Sequence, residues 1–153
     1  MLTSPGLEHL CDLDVELDTA RELGQGRAGM RRIIPIIGGT ARGLRLSGRI
    51  LPVGADWQTI FQDGVAELDA RYAIETDDGA VVEVANHGYR HGPAEVMDRL
   101  RRGEACDPAE YYMRTTARLE SGDPRYAWLN RLVFVGTGAR LAAAVRIALY
   151  EVL

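Results

Sequence analysis

The chain has no lysine: all 18 of its basic residues are arginine. That absence excludes chemistry built on a lysine amine, namely a Schiff base, a pyridoxal-phosphate anchor or a phosphate-loop lysine. It leaves anion binding open, because a guanidinium grips carboxylates and phosphates in a bidentate fork. An arginine-favouring codon bias accounts for the composition without any function. Serine is also scarce. Ser4, Ser47 and Ser121 are the only three, and none lies in a nucleophile elbow. Cys11 and Cys106 lack metal-ligand spacing. Two free thiols in a cytoplasmic chain are the simplest reading, with a disulfide between them the alternative. No apolar run of about 18 residues is present, so no membrane helix is expected.

Net charge is −4 and the pI about 5.4. Nucleic-acid binding leaves a basic footprint, and none is visible. The densest basic cluster, Arg99-Leu100-Arg101-Arg102, suits the C-terminal end of a helix, where cations complement the dipole. Met1 to Gly6 lack the charged region and apolar run of a secretory signal, so a cytoplasmic location is expected. His87 and His91 have a spacing that suits a metal on a helix, but Gly88, Gly92 and Pro93 argue for a strand or loop, so no metal site is expected. Gly136-Thr137-Gly138 lacks the third glycine of a dinucleotide fingerprint and opens no helix. No cofactor is therefore expected.

What is present is short-range alternation. The 17 scattered glycines cut the chain into short apolar–polar runs, a strand pattern. Leu13–Asp18, Arg32–Ile37, Leu44–Leu51, Val65–Thr76, Ala80–Asn86, Tyr111–Glu120, Leu132–Val135 and Ala143–Val152 read as strands. Pro35 cannot donate to a ladder, which places it at an edge or a bulge. Pro52–Trp57 reads as a loop, and Pro124–Asn130 as a helical turn. Residues 93–102 form the one clear helix, with Pro93 inside its start and Gly103 past its end. The sum is an all-β chain: a single antiparallel β-barrel domain over 1–153, with about eight to ten strands and one short added helix.

Asp77-Asp78-Gly79 joins two alternating runs and marks a hairpin. With Asp78 and Gly79 as the central turn residues, Arg71 faces Asn86, Asp69 faces Gly88 and Glu67 faces Arg90. Side chains two apart share a face. Glu67, Asp69, Arg71, Asn86 and Arg90 then line one side, and Leu68, Ala70, Tyr72 and Ile74 the other. Either the apolar side meets the core, or the charged side points into a barrel lumen. A turn shifted by one residue would regroup them.

Several segments together resemble uncharacterised-protein family 0311, also called domain of unknown function 3237. They include Arg31–Ile36, Gly38-Gly39, Gly54–Gln58, Leu68–Tyr72, Thr76–Gly79, Asn86–Pro93, Tyr111–Thr115, Tyr126–Arg131 and Tyr150–Val152. They span almost the whole chain. The resemblance implies a compact β-barrel, and a hairpin pattern running through Asp69, Arg71, Asn86, Gly88, Arg90 and Gly92 that does not require His87 or His91. One departure is the alanine-rich stretch Ala139–Ala144, where a polar turn is expected.

Three functions compete. The favoured one is a cofactor-free acid–base enzyme, of isomerase, cyclase, dehydratase or lyase type, acting on a small aromatic or carboxylated metabolite. Asp69 is then the catalytic acid or base, and Arg71, with Arg90, holds an anion or stabilises an enolate. Trp57, Gln58, Asn86, Arg90, Tyr112, Arg114, Trp128 and Asn130 form the substrate-binding set. The second is a lipocalin-like carrier whose lumen is lined by Leu68, Tyr72 and Ile74, with Asp69 and Arg71 outside. The third is an assembly module with no pocket. The expected partner is a small-molecule ligand, with neither nucleic acid nor membrane, and a homo-oligomer is expected.

Overall fold

Alternating side chains build ten antiparallel strands in the computed structural model, which describes residues 1–153. They are β1 (Leu7–Leu17), β2 (Arg21–Gln25), β3 (Gly29–Arg42), β4 (Gly48–Ile50), β5 (Ala55–Phe61), β6 (Ala66–Thr76), β7 (Val81–His91), β8 (Tyr112–Glu120), β9 (Phe134–Arg140) and β10 (Ala144–Val152). One α-helix, α1 (Ala94–Arg101), follows β7, and 3-10 segments cover Pro108–Glu110 and Pro124–Arg131. The pairings β1–β3–β5–β6–β7–β8–β9–β10–β1 close a barrel of eight strands; β2 and β4 are additions to it. Closure removes the exposed edges of an open sheet. No helix is long and apolar enough to cross a membrane.

Inner and outer residues alternate along the strands, as in β8, where Met113, Thr115, Ala117 and Leu119 are buried and their neighbours exposed. One end of the barrel is filled by an apolar cluster that includes Leu13, Ile74, Val82, Leu119, Phe134 and Leu149. Leu129, from the 3-10 segment Pro124–Arg131, is fully buried in this cluster. The other end is covered by α1. Its Val96 and Leu100, four apart and so on one helical face, pack with Ala66, Leu68, Tyr111 and Met113. Gly103, at φ +81°, ends the helix and donates its N–H to the Leu100 carbonyl at 3.0 Å.

Four sequence expectations change here. Of the two positions expected for Pro35, an edge or a bulge, the edge is overturned: Pro35 lies within β3, beside a register irregularity. Its missing N–H falls where β3 exchanges one neighbour for another: β2 pairs up to Ile33, and β1 begins at Ile36 with a register irregularity beside it. The strand expected over Leu44–Leu51 is only Gly48–Ile50. Pro52–Trp57 is not all loop, because β5 already begins at Ala55.

The fourth change is the hairpin register. Ala66 pairs with Arg90, Leu68 with Gly88 and Ala70 with Asn86. The loop holds three residues, not two. Gly79 donates its N–H to the Thr76 carbonyl, and Thr76 in turn donates its N–H to the Ala80 carbonyl. A two-residue type I′ turn needs positive φ at both central positions, and Asp78 lacks it, while Gly79 sits at φ +90°. The extra residue shifts the pairing by one and moves Asn86 and Arg90 to the face opposite Asp69 and Arg71.

Candidate active site

The barrel interior divides along its axis. Beyond the apolar plug, inward positions turn polar: Asp56 and Gln58 on β5, Asn86 and Arg90 on β7, Thr115 on β8 and Arg140 on β9. They line one cavity together with Leu68, Ala70 and Tyr72 of β6, Met113 of β8, Val145 and Ile147 of β10, and apolar residues of β1 and β3. Its space, counted to the open mouth, is about 480 Å³, but only about 30 Å³ can hold the centre of a water molecule. A single water needs about 10–15 Å³ on that measure, so any larger ligand must displace flexible side chains. Met113, Arg90 and Arg140 are the flexible members of the wall. Glycine sets the width on one side: a Cβ on Gly136 would lie 2.5 Å from the Thr115 hydroxyl oxygen.

Asp56 is the lumen's carboxylate. Gln58 Nε2 donates to its Oδ2 at 2.7 Å, and the backbone N–H of Asp69 donates to its Oδ1 at 2.9 Å. The β5–β6 ladder pairs Asp56 with Ala70 and resumes only at Thr59–Glu67, so the carboxylate serves a backbone donor in the gap. Burial pushes the Asp56 pKa up from its ordinary value. The Gln58 and Asp69 hydrogen bonds and the positive charges of Arg90 and Arg140 oppose that rise without cancelling it. Burial, with repulsion from Arg140 and Arg32, brings Arg90 down to about 10, so it stays charged at neutral pH. Tyr72 is shifted upward by burial first and then by the neighbouring Cys11 and Asp56, which keeps its hydroxyl protonated.

Five buried polar atoms on this wall have no hydrogen-bond partner: Gln58 Oε1, Tyr72 OH, Asn86 Oδ1, Arg90 Nη1 and Thr115 Oγ1. Unpaired buried polar groups cost about 1–3 kcal/mol each, and native folds keep few of them. Five around one cavity, next to a carboxylate shifted toward its neutral form, form a set of donors and acceptors suited to a ligand.

Of the ten site residues expected from the sequence, Gln58, Asn86 and Arg90 meet in the lumen. The other seven lie outside it. Asp69 and Arg71 are exposed on the outer wall, where they border a shallow groove with Arg31 and Trp57. Arg71 Nη1 is 3.8 Å from Glu83 Oε1. Tyr112 and Arg114 are also outward, the guanidinium carbon 5.4 Å from the Tyr112 ring centre. Trp128 packs under Arg45 at 5.0 Å, and Asn130 clamps the preceding loop through the N–H and carbonyl of Ser121. His87 and His91 project outward too, His87 to Glu67 at 3.3 Å and His91 stacked on Tyr112.

Asp56, Thr115 and Arg140 lie outside the expected sets, and Tyr72 is expected in the lumen only on the carrier reading. A usable signal existed for the first. Asp56 and Gln58 alternate with Trp57 just ahead of Thr59-Ile60-Phe61, a strand pattern with polar residues in phase. Arg140 ends β9 before the alanine-rich turn and carries no such mark.

The family model described as "Protein of unknown function (DUF3237)" matches residues 5–152. The chain belongs to the DUF3237 family. A UPF0311 protein of Rhodopseudomonas palustris is 49% identical to this DUF3237 member over 138 residues, spanning 90% of this chain and 88% of its own. A crystal structure of a "beta-barrel like protein" from Acinetobacter baumannii superposes with a TM-score of 0.88 at 44% identity, covering 100% of this chain and 99% of the other. An "enzyme from Penicillium herquei" shares the fold at a TM-score of 0.75 and 21% identity, over 100% of this chain and 98% of its own.

Proposed function

We propose that this DUF3237 barrel is a cofactor-free acid–base enzyme whose reaction takes place in the lumen at Asp56. The observation that carries this reading is the ring of unpaired polar atoms around one carboxylate with a raised pKa. A carboxyl whose pKa is raised by burial can serve as base in one half of a reaction and acid in the other. Ionised Asp56 takes a proton from a small substrate lodged against Leu68 and Ala70. The charge developing on the substrate oxygen is met by Arg90 Nη1 and by the Tyr72 and Thr115 hydroxyls. Protonated Asp56 then returns the proton at another atom, which is an isomerisation, or gives it to a leaving group, which is an elimination. Gln58 and the Asp69 amide hold the carboxylate in place during both steps. The shared fold with a fungal protein described as an enzyme is in keeping with this reading.

The test is exchange of substrate carbon-bound hydrogen for deuterium in D₂O, followed by NMR over a panel of small carbonyl compounds. The wild type should exchange at least one of them, and Asp56→Asn should bind the same compound while exchanging it at least a hundredfold more slowly. Equal exchange rates in the two proteins would rule Asp56 out.

A carrier is the second reading. Leu68, Tyr72 and Ile74 face inward and Asp69 and Arg71 outward, the orientation a carrier calls for. It leaves the lumen-facing, half-buried Asp56 and the buried Arg90 without a role. A ligand that binds the wild type and Asp56→Asn equally, with no exchange in either, would favour it.

A further inference from the structure

Beside the lumen, under α1, lies a recess lined by Arg32, Arg90, Arg101 and Arg140, with Met97 and Leu100 of the helix forming its roof. Four arginines border it, and no carboxylate does. Arg90 and Arg140 belong to both walls, so they stand between the recess and the lumen. We propose that this recess binds the anionic group, a carboxylate or a phosphate ester, of the ligand whose reacting part lies at Asp56. The proposal rests on the lumen being the ligand site and names the class of substrate it takes.

The charge balance supports it. Near Arg90 and Arg140 the only carboxylate is Asp56, whose pKa burial raises; the other acidic group there is the Tyr111 hydroxyl, which accepts from the Arg140 backbone N–H at 2.9 Å. Arg32 reaches Glu22 only at 3.9 Å, and that carboxylate is largely solvated on the outside. Arg101 is turned to Asp98 at 3.0 Å. Arg32, Arg90 and Arg140 therefore share one carboxylate, whose pKa burial raises. Arg90 is 7% exposed, its Nη1 has no partner, and neither has the buried Nε of Arg32. Buried guanidinium N–H groups without acceptors are costly, and an oxyanion accepts from several at once in fork geometry. The apolar wall of Leu68, Ala70 and Met113 next to this recess fits a short hydrocarbon or ring attached to the anion.

Three probes of similar size separate the possibilities: benzoate, phenyl phosphate and the neutral benzamide, titrated into ¹⁵N-labelled full-length protein. At least one anion should bind tenfold or more tightly than benzamide, shifting amides of β5, β7 and β9. The tighter of the two anions identifies carboxylate or phosphate. Arg140→Met should erase that preference, so that the favoured anion and benzamide bind the variant within twofold of each other. If Arg140→Met loses its native spectrum, Arg32→Gln, at a partly exposed position, should reduce the preference at least threefold. Equal binding of benzamide and both anions overturns the anion site but leaves the lumen reading standing. A preference that survives the arginine substitution places the anion elsewhere and likewise overturns it. If none of the three binds, both readings fall.

Discussion

The backbone amide of Asp69 donates to the carboxylate of Asp56 at 2.9 Å, while the Asp69 side chain points away to solvent. The amide belongs to the main chain, so the contact does not depend on which residue occupies position 69. Asp69→Ala should keep the fold and the Asp56 environment, with a stability change within about 0.5 kcal/mol, as for most exposed substitutions. Urea unfolding of the two proteins checks this.

Asp56 gives a pH dependence whose sign follows from its raised pKa. The folded state favours the neutral acid more than the unfolded chain does. Folding therefore costs nothing extra below the ordinary carboxylate value of 3.8, and the cost grows as pH rises from there to the folded-state pKa. Asp56→Asn removes that cost. The Asn amide can also donate to the free Gln58 Oε1 once that side chain flips. The stability advantage of Asp56→Asn over the wild type should thus be larger at pH 7 than at pH 4. The comparison is of urea unfolding free energies at the two pH values, and an advantage that shrinks on going to pH 7 would contradict the assignment.

The three-residue hairpin loop makes Gly79 the one residue there with positive φ. Gly79→Ala puts an L side chain in the left-handed region and should cost about 1–2 kcal/mol. Nothing lies within 4 Å of the added Cβ, so the whole effect is conformational. Thermal and urea unfolding measure it.

Gly136 tests the width of the lumen. An added Cβ would approach the Thr115 hydroxyl at 2.5 Å and Ile147 Cγ2 at 3.1 Å. Gly136→Ala should cost about 1–3 kcal/mol as an overpacked interior site. It should also weaken binding of any lumen ligand, which a titration of the folded variant would report.

The two thiols should differ in reactivity. Cys11 is fully buried on β1, and burial pushes its pKa up to about 12, while Cys106 is partly accessible near α1 and both are free. A thiol-specific reagent should label one cysteine in the native protein and two after denaturation. Two fast native equivalents would contradict the placement of Cys11.

The barrel was legible because period-two alternation survives in nearly every wall strand, and Pro93 and Gly103 bracket the helix. The site was legible only in part, and a single turn residue explains much of the loss. Asp77-Asp78-Gly79 reads equally as a two- or a three-residue loop, and the choice decides whether Asn86 and Arg90 share a face with Asp69 or with Leu68. Local sequence does not settle it, because the Thr76 hydroxyl, which accepts from the Ala80 N–H and donates to Asp78, helps close the longer loop. Asp56 was hidden for another reason: Pro52, Val53 and Gly54 mask the start of β5, and a carboxylate facing a barrel interior defies the polar-outside pattern used to orient strands. Arg140 comes near the others only through barrel closure, which no local pattern encodes.

The absence of lysine also gains a structural context. Arg32, Arg90, Arg101 and Arg140 gather around one recess, where planar forks are chemically distinct from ammonium groups.

The most direct test of the lumen account is a side-by-side measurement of solvent deuterium exchange into one exchanging substrate by Asp56→Asn and Asp69→Asn. The account predicts a loss of at least a hundredfold for Asp56→Asn and a rate within twofold of wild type for Asp69→Asn. The reverse order, with Asp69→Asn inactive and Asp56→Asn unimpaired, would place the chemistry on the outer wall and contradict it.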